Sequence, residues 1–254
     1  RKLSHFCHEV CRIRLSPSGV LGIINRASQQ LTPAYHAIES VLPKQAVLHA
    51  DETGWRMDGE RWYLWNFCNR RLIYFHADAT RSGKVPKSLL GESFSGLLHS
   101  QKCLVHFLRD IKNELKVSPE DKALWHLRKH LKQWITLGKK VQRLKRKGAI
   151  KKGKQKLHQL IKKITGLKSD NDKTQTLINR AVKYQESLAR FVNHPEAEFH
   201  NNWAEQTIRF AVIFRKLSFG HRTKQGAGLF CVLTSVLDTC RLNGINTFEF
   251  LNAV

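Results

Sequence analysis

The sequence predicts an α/β fold with a small sheet, helical N- and C-terminal segments and an all-α basic insertion. Four short runs rich in apolar or aromatic residues have the composition of strands, and turn residues separate them. Elsewhere, apolar residues recur every three or four positions, as they do on one face of a helix. The strand candidates are residues 46–51, 61–69, 72–77 and 96–99, and a short helix candidate covers 84–90.

The terminal segments carry recognisable helix boundaries. Ser16-Pro17-Ser18 has the composition of a helix start. Thr32-Pro33 predicts a second helix that runs to about Leu42. Near the C-terminus, an apolar helix over 229–242 is closed by Asn243-Gly244. We therefore predict a division into residues 1–45, 46–117, 118–195 and 196–254, of which the third is the basic helical insertion.

The charge balance favours a polyanionic partner. The chain has 44 Lys and Arg residues against 20 Asp and Glu, a formal net charge of +24. Such a field attracts polyanions and favours nucleic acid over acidic protein partners. No apolar run is long enough to span a membrane, and the scattered cysteines do not resemble a secreted disulfide framework. We expect a cytoplasmic protein associated with the bacterial nucleoid.

Two carboxylates stand out in this basic chain. Asp51 is the last residue of an apolar strand candidate, and Glu205 lies at the start of a helix. Carboxylates that converge on divalent cations can act on phosphodiesters. Each has a structural alternative: Asp51 as a strand-end residue that caps the next turn, and Glu205 as the partner of Asn202 in a capping box with Arg209 as its ion-pair partner.

Cys103-x-x-His106 is half of a zinc site, because no second pair follows at zinc-finger spacing. A structural Cys–His pair is the favoured interpretation. Three residues later, Arg109 is a candidate phosphate contact, with Asp110 as its salt-bridge partner.

Basic residues cluster in the insertion and around a glycine-rich loop over 220–228. One interpretation is a solvated helical hairpin, and the other is a surface that follows DNA. The candidate DNA contacts are Arg109, Lys139, Lys140, Arg143, Lys145, Arg146, Arg209, Arg215, Lys216 and Arg222.

Taken in order, these segments resemble a transposase of the insertion sequence 66 family. The resemblance covers nearly the whole chain. The blocks that carry it are Asp51-Glu52-Thr53-Gly54-Trp55, residues 103–110, Asn201-Asn202-Trp203-Ala204-Glu205, Arg215-Lys216, residues 220–228 and Leu242-Asn243-Gly244.

The resemblance implies an RNase H-like mixed-sheet core with a helical insertion before the catalytic Glu. Asp51 and Glu205 would be catalytic and would hold Mg²⁺ or Mn²⁺, while Cys103, His106, Asn201 and Asn202 would be structural. The implied partner is double-stranded DNA, both transposon ends and target, and the implied assembly on DNA is a homo-oligomer.

The chain departs from the family pattern at one catalytic position. The family places its second Asp directly after the fourth strand, but here Gln101 follows Ser100. His200 and Gln206 also replace residues that are commonly Asp and Arg. We therefore expect the chain as written to be catalytically impaired. The alternatives are an omitted segment, a non-catalytic DNA-binding remnant, and a structure-specific nuclease on the same fold.

Overall fold

The computed structural model describes residues 2–99, 104–186, 190–194 and 200–254. The chain forms two compact units, one of residues 1–96 and 202–254 and the other of residues 97–201. The predicted four-part division stays a prediction. Cys103 and the junction between Ser100 and Gln101 lie outside the described residues.

The structure confirms a mixed α/β fold. Its four strands form one sheet in the order β3-β2-β1-β4. The strands are β1 Val47–Met57, β2 Glu60–Cys68, β3 Ile73–Asp78 and β4 Leu97–His99. The helices are α1 Lys2–Cys11, α2 Pro17–Val41, α3 Lys84–Leu90, α4 Leu104–Val117, α5 Lys122–Gln142, α6 Lys147–Thr165, α7 Asp172–Lys183, α8 Asn202–Ser218, α9 Lys224–Leu242 and α10 Thr247–Ala253, with short 3-10 segments at Leu42–Lys44 and Arg190–Asn193.

The first strand is longer than the sequence predicts. We expected it to end at Asp51, but β1 continues to Met57 and pairs antiparallel with β2 from His49 to Met57. The two-residue turn Asp58-Gly59 closes this hairpin with positive φ at both positions. Gly54 lies opposite Tyr63 within the ladder. Asp51 is therefore in the middle of a strand and not at its end.

The predicted start of a second helix at Thr32-Pro33 is also wrong. A single helix, α2, begins after the cap that Ser16 Oγ provides to the Gly19 N–H and continues through Pro33 to Val41. Pro33 removes one backbone hydrogen bond, but a contact with strand β3 stabilises the helix. Tyr35 Oη donates to the Phe75 carbonyl at 2.9 Å, so tertiary contact outweighs the proline.

Helix α9 covers the edge of the sheet at β3. Ser235 Oγ accepts from the Phe75 N–H at 2.8 Å, and Thr239 Oγ1 contacts both the N–H and the carbonyl of Ile73. These side chains satisfy backbone groups that an edge strand would otherwise expose. The predicted helix end is confirmed, because Asn243 caps α9 and Gly244 adopts a positive φ.

The second unit is a helical assembly around its own apolar core. That core contains Phe107, Ile111, Leu115, Leu124, Leu127, Leu131, Ile164, Ile178 and Ala181. Asp121 begins α5 by accepting from the Leu124 N–H, and its other oxygen accepts from Thr174 Oγ1 at 2.6 Å. Asn171 caps α7 by accepting from the N–H groups of Lys173 and Thr174. In the part of the chain that the structure describes, no helix is both long and apolar enough to cross a membrane.

Helices α5 and α6 form a hairpin, and one glycine allows their close approach. A Cβ on Gly153 would lie 2.4 Å from Val141 Cγ2, whereas a Cβ on Gly148 in the same helix would meet nothing within 4 Å. Val141 is buried, so its side chain has little room to move.

We predict that Gly153→Ala destabilises the protein although alanine is the better helix former. The gain in helix propensity is about 1 kcal/mol, and overpacking costs roughly 1–3 kcal/mol. Thermal unfolding should show a lower Tm for Gly153→Ala and an equal or higher Tm for Gly148→Ala. A stabilising Gly153→Ala would contradict the packing described for this hairpin.

Candidate active site

Asp51 and Asn66 lie side by side on one face of the sheet. They are direct partners in the β1–β2 register, so their side chains point to the same face. Asp51 is half-buried, and its Oδ1 accepts from the Glu52 N–H at 2.9 Å. Asn66 is fully buried. The predicted carboxylate therefore borders a buried amide that the sequence did not single out.

Asn66 connects this face to the helix that carries Glu205. Its Nδ2 donates to the Ala204 carbonyl at 3.3 Å, and Ala204 is fully buried in the first turn of α8. A carbonyl oxygen can only accept, so the amide nitrogen must face α8 and Oδ1 must face elsewhere. This contact brings the start of α8, with Glu205, onto the face of the sheet that carries Asp51.

Glu205 lies in the first turn of α8 and is half-buried. It lines a cavity of about 390 Å³ together with Asn202, Gln206, Ile208, Arg209 and Val212. The helix begins at Asn202, so Asn202 is a helical residue and not the N-cap that the capping box requires. Asn201, just before it, is buried. Acidic residues are common in the first turn of a helix because of the helix dipole.

The donor set on this face fits a hard divalent cation. Asp51 and Glu205 offer carboxylate oxygens, and the buried Asn66 Oδ1 has no hydrogen-bond donor among the described residues. Mg²⁺ and Mn²⁺ take carboxylate, amide and water oxygens. Within the described ranges, no group of three or more His, Cys, Asp and Glu residues is placed to hold a metal ion. Any cation here would depend on two carboxylates together with an amide or water.

Glu52, the neighbour of Asp51, points to the opposite face of the sheet, because successive side chains in a strand alternate. Its buried carboxylate accepts from Arg81 Nε at 2.5 Å. This bond raises the pKa of the Arg81 guanidinium. The pair is 29 residues apart, so no spacing in the sequence reveals it.

Arg215 anchors the far end of α8 to β1. Its Nη1 donates to Thr53 Oγ1 at 2.9 Å and to the Gly54 carbonyl. The predicted DNA contact at Arg215 thus has a structural role whether or not it also meets a phosphate.

The loop after α8 is shorter than the predicted 220–228, because α9 begins at Lys224, and it is fixed to the same hairpin. The His221 N–H donates to the Arg56 carbonyl at 3.0 Å, and the Asp58 N–H donates to the His221 carbonyl at 3.1 Å. Gly220 has φ +106°, and a Cβ there would lie 2.2 Å from the Arg56 carbonyl oxygen. Only glycine fits this approach.

The His221 ring is an acceptor in an aromatic cluster. Trp55 Nε1 donates to His221 Nδ1 at 3.2 Å, and the ring stacks with Trp55 and Phe214. Burial lowers the pKa of His221. The neutral ring is therefore the form that the fold requires.

Among the other predicted site residues, one ion pair differs from the prediction. Asp110 pairs with Arg180 at 2.7 Å, which corrects the predicted partner Arg109. His106 is half-buried, and its predicted pairing with Cys103 lies outside the described residues. Lys139 is half-buried, and the exposed cations among the candidate DNA contacts are Arg109, Lys140, Arg143, Lys145, Arg146, Arg209, Lys216 and Arg222. Their contact with DNA stays a prediction.

Comparison with known proteins places the chain in a family. The model of the Transposase IS66 family matches residues 2–228, so the chain belongs to that family. An uncharacterized protein, y4qI, from Sinorhizobium fredii (strain NBRC 101917 / NGR234) is 30% identical over 96 residues, which are 38% of this chain and 18% of that protein. The chain thus spans less than a fifth of the length of this relative. No solved structure matches the present chain significantly.

We predict that acid destabilises the protein partly through His221. The unfolded histidine binds a proton near pH 6.5, but the folded one does so only at lower pH because its pKa is lowered. The free energy of unfolding should therefore fall as the pH drops below about 6.5, down to the lowered pKa. Urea unfolding at several pH values should show a shallower fall for His221→Phe and an unchanged one for the exposed His36→Gln. Equal pH dependence in all three proteins would contradict the assignment.

Proposed function

We propose that the chain derives from a metal-dependent transposase that cuts DNA strands and joins them to a target. Family membership supports transposition as the context. The observation that carries the chemistry is the bond between Asn66 and Ala204, which holds the first turn of α8, and with it Glu205, on the Asp51 face of the sheet. Three strands, a helix and a fourth strand, in that order, also agree with the start of an RNase H-like core.

In this proposal, Asp51 and Glu205 would hold Mg²⁺ or Mn²⁺. The cation, when bound, would neutralise charge on the phosphodiester and activate the attacking oxygen. The chain's own residues orient the site: Asn66 positions the helix start, and Arg215 fixes the other end of α8 to β1. Water would attack first and a DNA 3′ hydroxyl second, each in line with the leaving oxygen.

DNA is the proposed partner because of charge. The net charge of +24 makes binding to the phosphate backbone strong and salt-dependent. In the second unit, exposed cations lie at the end of α5 and in the turn that leads to α6, namely Lys140, Arg143, Lys145 and Arg146. We propose that they contact backbone phosphates, and that the active assembly on DNA is a homo-oligomer.

The second candidate function is DNA binding without catalysis. It is favoured by the short connection between β4, which ends at His99, and α4, which begins at Leu104. This stretch of sequence contains no acidic residue where the family has its second Asp. Groups that act as one catalytic unit do not retain activity in proportion to the number that remain.

The test is Mg²⁺- or Mn²⁺-dependent cleavage and joining of DNA that carries the ends of the element. We expect weak or no activity from the chain as written, and activity from a version with an Asp-containing segment rebuilt after Ser100. In that version, Asp51→Asn and Glu205→Gln should each lower activity at least about a hundredfold, while Glu120→Gln, an exposed carboxylate in the second unit, should not.

The outcomes separate the two functions. A rebuilt chain that cuts and joins DNA supports the transposase, and cutting without joining supports a nuclease. A rebuilt chain that binds DNA but never cuts it contradicts the proposed catalysis and leaves the DNA-binding function. Activity that survives both Asp51→Asn and Glu205→Gln would place the chemistry elsewhere.

A further inference from the structure

A second cavity in the first unit has the features of a site for nucleic acid. It is about 540 Å³ in volume and is lined by Gly54, Trp55, Arg56, Gly59, Arg61, Arg215, Lys216 and Phe219. Four of these residues are cationic, and none is acidic. The cavity lies beside the outer half of the β1–β2 hairpin, beyond Asp51 along the strand.

The cations come from two elements that the fold holds in place. Arg56 and Arg61 are direct partners across the hairpin, and Arg215 and Lys216 lie in the last turn of α8. Arg215 is fixed by its bonds to Thr53 and Gly54. Like charges across a strand pair are unfavourable in isolation, so this arrangement is better suited to a bound anion than to an empty surface.

The exposure and the backbone conformation of Phe219 are a second, independent observation. It is 78% exposed, the highest value among the large hydrophobic side chains that the structure describes. It follows the last residue of α8 with φ +62°, a conformation that favours glycine and that bulky residues rarely adopt. Its N–H donates to the Arg215 carbonyl at 2.7 Å, and the docked loop at Gly220 fixes the chain on its other side.

An exposed aromatic ring next to clustered cations is the pattern of single-strand binding. Cations follow the phosphates, and the ring stacks on an unpaired base. A duplex offers mainly its phosphates to such a site, because its bases already stack on one another. A strained backbone kept at a surface position also points to function, since the ring gains nothing from packing there.

We propose that this cavity binds an unpaired stretch of DNA, with its phosphates on Arg56, Arg61 and Lys216 and a base stacked on Phe219. The inference rests on the proposed function, and it specifies that the DNA substrate is unpaired at this cavity. DNA beside the catalytic face would be partly opened, with a nucleotide taken out of the duplex and held at the hairpin.

The test is equilibrium binding of short single-stranded and duplex DNA to the full chain, measured with EDTA so that no cleavage occurs. Phe219→Ala should weaken single-strand binding roughly 5- to 100-fold and change duplex binding by less than about twofold. Phe248→Ala removes another ring, 71% exposed in α10, and should change neither. Arg61→Gln should lower the salt slope on single strands by about 0.7, while the exposed Lys44→Gln should leave it unchanged.

Phe219→Gly separates binding from folding. It relieves the left-handed conformation, so its Tm should equal or exceed that of the parent while its single-strand affinity falls as in Phe219→Ala. A DNA strand that carries 5-iodouracil should also cross-link to a peptide containing Phe219. Equal loss of single-strand and duplex binding, or no loss in either glycine or alanine variant, would overturn the proposal. Because EDTA removes catalysis from the assay, that result would leave the proposed function standing.

Discussion

The hydrogen bond from Asn66 to the Ala204 carbonyl is the contact on which the site depends. It joins the middle of the sheet to the first turn of α8, and both residues are fully buried. A buried amide left without its partner costs roughly 1–3 kcal/mol, so the pairing restricts where the start of α8 can lie. Glu205 follows Ala204 directly, and Asp51 lies opposite Asn66. The Asn66 side chain therefore links the strand pair that carries Asp51 to the helix turn that carries Glu205.

The outer half of the β1–β2 hairpin extends this arrangement away from the carboxylates. Arg215 fixes the far end of α8 to β1, and the His221 backbone pairs with the hairpin beside Trp55. Helix α8 is therefore bonded to β2 at its start and to β1 at its end. The same contacts place the last turn of α8 and Phe219 beside Arg56 and Arg61. In our account, the proposed catalytic face and the proposed single-strand site lie one after the other along the same hairpin and helix.

Much of this architecture could be predicted from local sequence signals. The helix boundaries at Ser16 and Asn243 could be predicted from residue type alone, and so could Asp51 on a strand and Glu205 in a first helical turn. The errors came from long-range contacts. The extension of β1 depends on pairing with β2, and the continuity of α2 through Pro33 depends on Tyr35 reaching Phe75. Asn66 was missed because an asparagine within an aromatic strand carries no signal until its partner, 138 residues away, is known.

The central claim is that Asp51 and Glu205 act together on one cation, and Mn²⁺ binding measures this directly. We would titrate the chain as written and its Asp51→Asn, Glu205→Gln and doubly substituted variants, following free Mn²⁺ by electron paramagnetic resonance. The account predicts one weak site that either single substitution abolishes, so that the double variant loses nothing more. Binding that survives each substitution, or that the two reduce independently, would contradict a shared site.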